Sequence, residues 1–168
     1  MKSIRSFAGS TLQCIQPSFL KQEYELRAGE ELVGTIRFPN VFKRKAEVVS
    51  ADGQWTIEEK GIFTQRISVS TSGGENPVTV LPFAAFRDNK IHVTGTKVLR
   101  LKRNLWKQEY TLTTDMNLPV LQVKERVGLK SSFDLVLSGR SETIEEFPWL
   151  IFLVLNIALF NKRRRGAH

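Results

Sequence analysis

Hydrophobic and polar residues alternate with a period of two over most of the chain between positions 22 and 136. The segment EELVGTIRF (30–38) places apolar residues at every second position. The segments RISVSTS (66–72), EYTLTTD (109–115) and SFDLVLS (132–138) repeat this alternation. Strands that bury one face and expose the other have this pattern. The chain is therefore predicted to be mainly β.

Turn signals separate these segments at short intervals. Asp52-Gly53 lies between KAEVVS and QWTIEE, and it predicts a tight hairpin because Asp-Gly adopts positive φ easily. About ten short strands joined by hairpins are typical of an antiparallel sandwich or barrel. The sequence contains neither βαβ spacing nor a long linker, so residues 1–168 are expected to form one domain.

One segment departs from the alternation. Residues 147–160 read FPWLIFLVLNIALF and are apolar or small except for Asn156. As a helix, this segment would be about 21 Å long, whereas the hydrocarbon core of a bilayer is about 30 Å thick. Its apolar residues cover every side of the helical wheel, so protein or lipid must surround it.

The strands offer a protein environment for this segment, because a wide barrel has an interior that must be filled. The sequence thus predicts a closed antiparallel barrel of about 10–12 strands around a central hydrophobic helix at about 144–161, followed by a basic tail at 162–168. Asn156 is then expected to bond a strand backbone group, since an unpaired buried amide costs about 1–3 kcal/mol. The alternative is a tail-anchored membrane protein that uses residues 147–160 as a short span, with Lys162 to Arg165 as a stop-transfer cluster.

A β-rich chain that ends in such a helix resembles the tubby C-terminal-like superfamily, which includes tubby proteins, phospholipid scramblases and LURP-one-related proteins. The resemblance is carried by LWKQEYTLTTDMNLPVLQVKER (105–126) and by SSFDLVLSG (131–139) with the apolar segment after it. ELVGTIRFP and AEVVSADGQWTI match more loosely. The resemblance is one of hydrophobic pattern and covers about residues 22–160. It implies the fold of that superfamily, a barrel with a central helix.

The functional marks of the better known members are absent from this sequence. It has no Asp-rich calcium loop like that of the scramblases, no cysteine cluster for palmitoylation and no segment that matches the phosphoinositide pocket of tubby. The resemblance therefore implies a small member of unknown function, and it favours lipid as the binding partner.

The formal net charge is +8, from 25 basic and 17 acidic residues. Such a balance favours anionic partners, although it also serves solubility. The single cysteine, Cys14, cannot form an intramolecular disulfide, which is compatible with a reducing compartment. No apolar run follows Lys2 and Arg5, so no cleaved secretory signal is expected. These features predict a cytoplasmic protein.

Few residues suggest catalysis. The two histidines are His92, in the strand-like segment KIHVTG, and His168, the last residue. Glu58 and Glu59 are adjacent, so in a strand they point to opposite faces and form no acid–base pair. The sequence has no Cys/His metal spacing, phosphate loop or serine elbow. We therefore predict a non-enzymatic protein without cofactor or metal; an enzyme for a hydrophobic ligand is the alternative if the barrel is incompletely filled.

Basic clusters are the remaining candidates for a site. The candidate anion- or lipid-binding residues are Lys43, Arg44, Lys45, Arg100, Lys102, Arg103, Lys124 and Arg126. Strand alternation places Arg100 and Lys102 on one face, towards solvent. Trp106 nearby is a candidate for insertion at a membrane interface or for stacking on a base. The plainer interpretation makes these cations solvated barrel faces and Trp106 a core residue.

These observations predict a binding or scaffold domain that associates peripherally with anionic phospholipid headgroups at the inner membrane surface. A nucleic-acid-binding barrel would use the same charges, but its stacked aromatics are not evident, because the aromatic residues here alternate as core residues do. The sequence does not identify a protein partner.

Overall fold

The computed structural model describes residues 1–40, 44–61, 65–82, 88–128, 132–139 and 142–166. A short 3-10 helix, Ile4–Phe7, precedes the strands. The strands are β1 Thr11–Ile15, β2 Glu23–Ala28, β3 Glu31–Arg37, β4 Lys45–Ser50, β5 Gly53–Lys60, β6 Arg66–Thr71, β7 Pro77–Pro82, β8 Asn89–His92, β9 Val98–Asn104, β10 Glu109–Thr114, β11 Pro119–Glu125 and β12 Ser132–Leu137. Two helices follow, α1 Glu142–Glu146 and α2 Trp149–Gly166.

The twelve strands form one antiparallel sheet that curls into a nearly closed barrel. Their order is β7-β6-β5-β4-β3-β2-β1-β12-β11-β10-β9-β8, so the first and last strands pair in the middle of the sheet. β7 and β8 are the two edges of the sheet. In the described part of the chain the hydroxyl of Thr79 on β7 donates to the carbonyl of His92 on β8 at 2.9 Å. The predicted β-barrel architecture is confirmed.

The predicted Asp-Gly hairpin lies where the sequence placed it. Ser50 at the end of β4 is opposite Gly53 at the start of β5, and Gly53 has φ 155°. The carboxylate of Asp52 accepts hydrogen bonds from the backbone N–H of Ile4 at 2.8 Å and from the Ser3 hydroxyl at 2.5 Å. The turn therefore also holds the amino-terminal 3-10 helix against this end of the barrel.

Helix α2 runs through the interior of the barrel. It contacts β5 and β11, which lie on opposite walls because six positions separate them in a twelve-stranded order. All residues from 149 to 159 are buried, so no side of the helix faces solvent along this stretch. The Phe152 ring packs beside Trp55, 6.0 Å between ring centroids. A Cβ at Gly34 on β3 would lie 2.6 Å from the same Phe152 ring, so a larger residue at this position would collide with the helix.

The helix differs from its predicted bounds at both ends. α1 and α2 are separate because Pro148 lacks an N–H and restricts the residue before it, which interrupts the helix at Phe147 and Pro148. α2 continues to Gly166, so Lys162 to Arg165 form its last turn and not a separate tail. None of the helices in the described ranges is long and apolar enough to cross a bilayer. The residues that a tail anchor would place in lipid are enclosed by the strands.

Asn156 does not have the strand partner that was expected for it. Its side chain is buried, yet its Oδ1 atom has no hydrogen bond among the residues that the structure describes. The prediction assumed that a strand backbone group would be free to pair with it. In the barrel wall, neighbouring strands use those groups for their own ladders.

Candidate functional site

The candidate cations do not share one barrel wall. Lys45 begins β4, whereas Arg100 and Lys102 lie on β9, seven positions away in the sheet order. Lys43 lies outside the described residues. The sequence suggested basic faces on the barrel, and these two clusters lie on separate strands of its wall.

On β9 the predicted alternation holds for four residues. Leu99 and Leu101 are buried, and Arg100 and Lys102 lie on the outer face and are partly exposed. The Lys102 ammonium donates to the side-chain oxygen of Asn117 at 3.2 Å. Asn117 belongs to the turn between β10 and β11, so this lysine reaches towards the end of the barrel where α2 begins.

Arg103 points the other way from Lys102. Alternation along β9 turns it inwards, and its guanidinium lies over the ring of buried Tyr110, 5.5 Å from the ring centroid. The hydroxyl of Tyr110 in turn accepts a hydrogen bond from Asn161 of α2 at 3.1 Å. Arg103 therefore belongs to the mouth of the barrel around the helix end, and it does not share the outer face on which Arg100 and Lys102 lie.

Topology brings several of the candidate residues together at one end of the barrel. Consecutive strands are antiparallel neighbours, so β1, β3, β5, β7, β9 and β11 all finish at one end of the barrel. α2 begins at the opposite end and finishes at this one, where Lys162 contacts Glu125 at the end of β11. We call this the basic end. Its described cations are Lys21, Arg37, Arg44, Lys45, Lys60, Arg66, Arg103, Lys107, Lys124, Arg126, Lys162, Arg163, Arg164 and Arg165.

Glu125 clamps the last turn of α2 to the barrel mouth. Its carboxylate accepts the Lys162 ammonium at 2.9 Å and also pairs with the Arg165 guanidinium, while its side chain is only 15% exposed. Burial is the largest single influence on this carboxyl and raises its pKa. Hydrogen bonds from Arg165 and Lys162, together with their charges, outweigh burial, so the pKa of Glu125 lies below its usual value.

A second carboxylate, Glu59, faces inwards at the end of β5. It pairs with Arg44 at 3.1 Å, and Arg44 also lies over the ring of Phe160 on α2, 5.5 Å from its centroid. Burial raises the pKa of Glu59, although the nearby charges of Arg44 and Arg164 oppose that shift. Arg44 is thus a contact of the helix end as well as a surface cation.

The remaining cations of the helix end stay near the surface and rest on aromatic rings. The Arg163 guanidinium lies 4.4 Å from the centroid of the Phe38 ring, and that of Arg164 lies 5.4 Å from the Phe160 ring centroid. Cation–π contacts of this kind hold the stem of a side chain while they leave the charge accessible to an anion.

On the outside of this end, Arg126 pairs with Asp134 at 2.9 Å. Within the described ranges Lys21, Lys107 and Lys124 are exposed and form no ion pair. Two of these three, Lys21 and Lys107, lie in hairpin loops and were not among the predicted site residues.

Large apolar side chains are exposed in the loops of the basic end. Leu20 and Trp106 are 96% and 98% exposed, and Phe19, Leu105 and Val127 are also exposed. The interpretation of Trp106 as a core residue is therefore wrong. The signal that could have found this set is the position of apolar residues next to a cation inside a turn, as in Phe19-Leu20-Lys21 and Leu105-Trp106-Lys107.

The opposite end carries the other sign of charge. We call it the acidic end, and its described carboxylates are Glu30, Glu31, Asp52, Glu75, Asp115, Glu142, Glu145 and Glu146. Three of its described cations are engaged by acceptors: Lys2 pairs with Glu31 at 2.8 Å, Lys97 pairs with Glu146 at 3.6 Å, and Arg5 donates to the Glu145 carbonyl. The barrel is consequently polar along its axis.

Residues that could perform chemistry are few in the described part of the chain. Cys14 is fully buried on β1, and burial raises the pKa of its thiol, which keeps it protonated and unreactive. No three side chains of His, Cys, Asp or Glu lie together as metal ligands within those residues. A small apolar cleft between the 3-10 helix and α1 is lined by Ile4, Leu137 and Ile144 among others. The basic end, with its clustered cations and exposed loops, is therefore the candidate site.

Comparison with family models, with curated proteins and with solved structures gives no match for this chain. The fold and the charge distribution thus carry the functional argument.

Proposed function

We propose that this protein is a binding domain that associates peripherally with membranes rich in anionic phospholipid, and that the basic end of the barrel is its contact surface. The observation that carries the proposal is the collection of cations from six described strand ends, from two hairpin loops and from the last turn of α2 on one surface. This modifies the hypothesis drawn from the sequence, since the surface is an end of the barrel and not its wall.

The electrostatic argument depends on which cations are free to meet a partner. Those at the mouth, such as Lys162 and Arg165, already share Glu125 and serve chiefly to hold the helix. Lys21 and Lys107 are exposed in loops and have no ion pair among the described residues. A Lys or Arg held near an anionic membrane surface contributes about 1 kcal/mol to binding.

The resemblance to a superfamily that includes phospholipid scramblases also favours lipid over other anions. The absence of the scramblase calcium loop and of the tubby pocket pattern from the sequence favours general headgroup attraction over recognition of one lipid. Nucleic acid is the second candidate for a basic surface, and an exposed Trp106 beside Lys107 has the features of a stacking contact.

The test is co-sedimentation with vesicles of phosphatidylcholine alone or of phosphatidylcholine mixed with phosphatidylglycerol, over a range of salt concentrations. We expect pelleting with the anionic vesicles that declines as salt rises, because exposed charges are screened. Equal pelleting with both kinds of vesicle would overturn the proposal. Salt-sensitive binding to single-stranded RNA or DNA without binding to anionic vesicles would favour the nucleic-acid alternative.

A pair of variants locates the surface. Lys21→Gln with Lys107→Gln removes two charges from the basic end, and we expect binding to anionic vesicles to weaken by about 30-fold, from about 1 kcal/mol for each charge. Arg100→Gln with Lys102→Gln removes two charges from the barrel wall and should leave binding close to wild type. If the wall variant loses more affinity than the end variant, the contact surface is the wall that the sequence suggested.

A further inference from the structure

We infer that the basic end does not merely lie against headgroups but inserts a row of apolar loop residues into the membrane interface. The inference rests on the proposed function and adds an orientation and a depth to it. The residues concerned are Phe19, Leu20, Leu105, Trp106 and Val127.

These residues form a row because their loops are neighbours. In the sheet order β2-β1-β12-β11-β10-β9 the loop between β1 and β2, the loop after β11 and the loop between β9 and β10 follow one another along one half of the rim. With strands about 4.8 Å apart, six strands span roughly 25 Å. Each of the three loops exposes an apolar side chain, so these side chains follow one another along this half of the rim.

Two of the loops hold their apolar residues outwards through local hydrogen bonds. In the loop between β9 and β10, Asn104 accepts from the backbone N–H of Lys107 at 3.1 Å, and Gln108 donates to the Leu105 carbonyl at 2.7 Å. In the loop between β1 and β2, Gln16 donates to the Lys21 carbonyl at 3.0 Å. Trp106 and Leu20 at the centres of these turns are therefore exposed by the fold itself.

Charge and apolarity alternate along this row in the way that an anionic bilayer surface favours. Lys21 follows Leu20, Lys107 follows Trp106, and Arg126 precedes Val127. Tryptophan partitions to the level of the headgroups, and flanking Lys and Arg pair with lipid phosphates at the same depth. A protein partner would satisfy the apolar residues as well, but a flat anionic surface also satisfies the cations that surround them on the whole end of the barrel.

The acidic end cannot dock in the same way. It also exposes apolar residues, Met116 and Leu118, but carboxylates such as Asp115 surround them. Repulsion from anionic headgroups acts against insertion there. This end therefore supplies the matched control, with two exposed apolar residues in one turn.

The experiment uses the native fluorescence of the intact protein. Trp55 and Trp149 are each 5% exposed inside the barrel, so Trp106 is the tryptophan whose environment can change on binding. With anionic vesicles that contain phosphatidylcholine brominated on its acyl chains, we expect Trp106 emission to shift to shorter wavelength and to be quenched. The difference between wild type and Trp106→Phe isolates that signal.

Variants supply the affinity readout. Leu20→Ser with Trp106→Ser should bind anionic vesicles at least about tenfold more weakly, because burying a large apolar side chain is worth more than a factor of ten. Met116→Ser with Leu118→Ser should bind like wild type. If vesicle binding persists but Trp106 stays unquenched and the Leu20/Trp106 variant binds normally, insertion is overturned and headgroup binding stands. If anionic vesicles do not bind at all, both the insertion and the proposed function are overturned.

Discussion

The two ends of the barrel manage their charges differently. At the acidic end the described cations Lys2, Arg5 and Lys97 each meet an acceptor, and the excess of carboxylates faces water. At the basic end Glu59 and Glu125 are drawn into the mouth, where they hold Arg44 and the end of α2, while other cations remain outside. These two acidic groups of the basic end thus serve the fold, and cations such as Lys21, Lys107 and Lys124 are left on its outer surface.

Helix α2 accounts for part of this polarity. α1, with Glu142, Glu145 and Glu146, precedes it, and Arg163 to Arg165 lie in its last turn. Acidic groups near the start of a helix and basic groups near its end are both stabilised by the helix dipole. The comparison teaches that one segment of the sequence can fill the interior and also place a net charge at a chosen end of the barrel.

The largest effect on stability is expected from a substitution in the interior of the barrel, which lies between the two ends. Phe152→Ala removes the ring that packs against Trp55 and beside Gly34, and it leaves a cavity in the interior of the barrel. We expect the free energy of unfolding to fall by about 3–5 kcal/mol, measured by urea denaturation. Phe19→Ala at the basic end is the matched control and should change stability by less than about 0.5 kcal/mol, since that ring is exposed. Similar losses for the two variants would contradict an interior helix.

A smaller effect is expected from the clamp at the basic end. Glu125→Gln leaves Lys162 and Arg165 without a carboxylate at a mostly buried position, and we expect a loss of about 1–3 kcal/mol at neutral pH. Glu31→Gln at the acidic end breaks an exposed pair with Lys2 and should cause no measurable loss. Equal stability of the two variants would mean that the two ends do not differ in how they use their acids.

Glu125 also makes the stability of the protein depend on pH. The pKa of Glu125 is lowered in the folded protein, so its contribution is present above the unfolded pKa and is lost as the pH falls through the folded pKa. Glu59 has the opposite sign, because its raised pKa means that ionisation costs stability as the pH rises. The wild type should therefore lose more stability on acidification than Glu125→Gln. Parallel curves would exclude Glu125 as a stabilising anion.

The sequence predicted the fold well because its signals were local. Alternation in EELVGTIRF and Asp52-Gly53 define strands and a turn within a few residues, and an all-apolar helix demands an enclosure. It did not predict the helix end at Gly166 or the unpaired oxygen of Asn156, because these depend on which strand groups already have partners.

The candidate site was only partly predictable for a related reason. Arg44 and Arg126 were identified as candidates from their charge. The inward orientation of Arg103 becomes clear only when the alternation of faces is followed to the end of β9. Which loops meet at the basic end depends on the order of the strands in the sheet. The period-two pattern of the sequence does not reveal that order. Trp106 could not be assigned to core or surface until the loop that carries it was known.

The measurement that tests the difference between the two ends most directly places a reporter at each of them. Leu20→Cys and Met116→Cys introduce exposed thiols, and buried Cys14 should stay unlabelled because its thiol is inaccessible and its pKa is raised. A nitroxide label is attached to each thiol, and the protein is bound to anionic vesicles. The rates at which each label collides with oxygen and with a water-soluble relaxant then give the depth of that position in the membrane. We predict that the label at position 20 enters the bilayer and that the label at position 116 remains in water. Immersion of position 116, or of neither position while the protein is bound, would contradict a barrel that docks by its basic end.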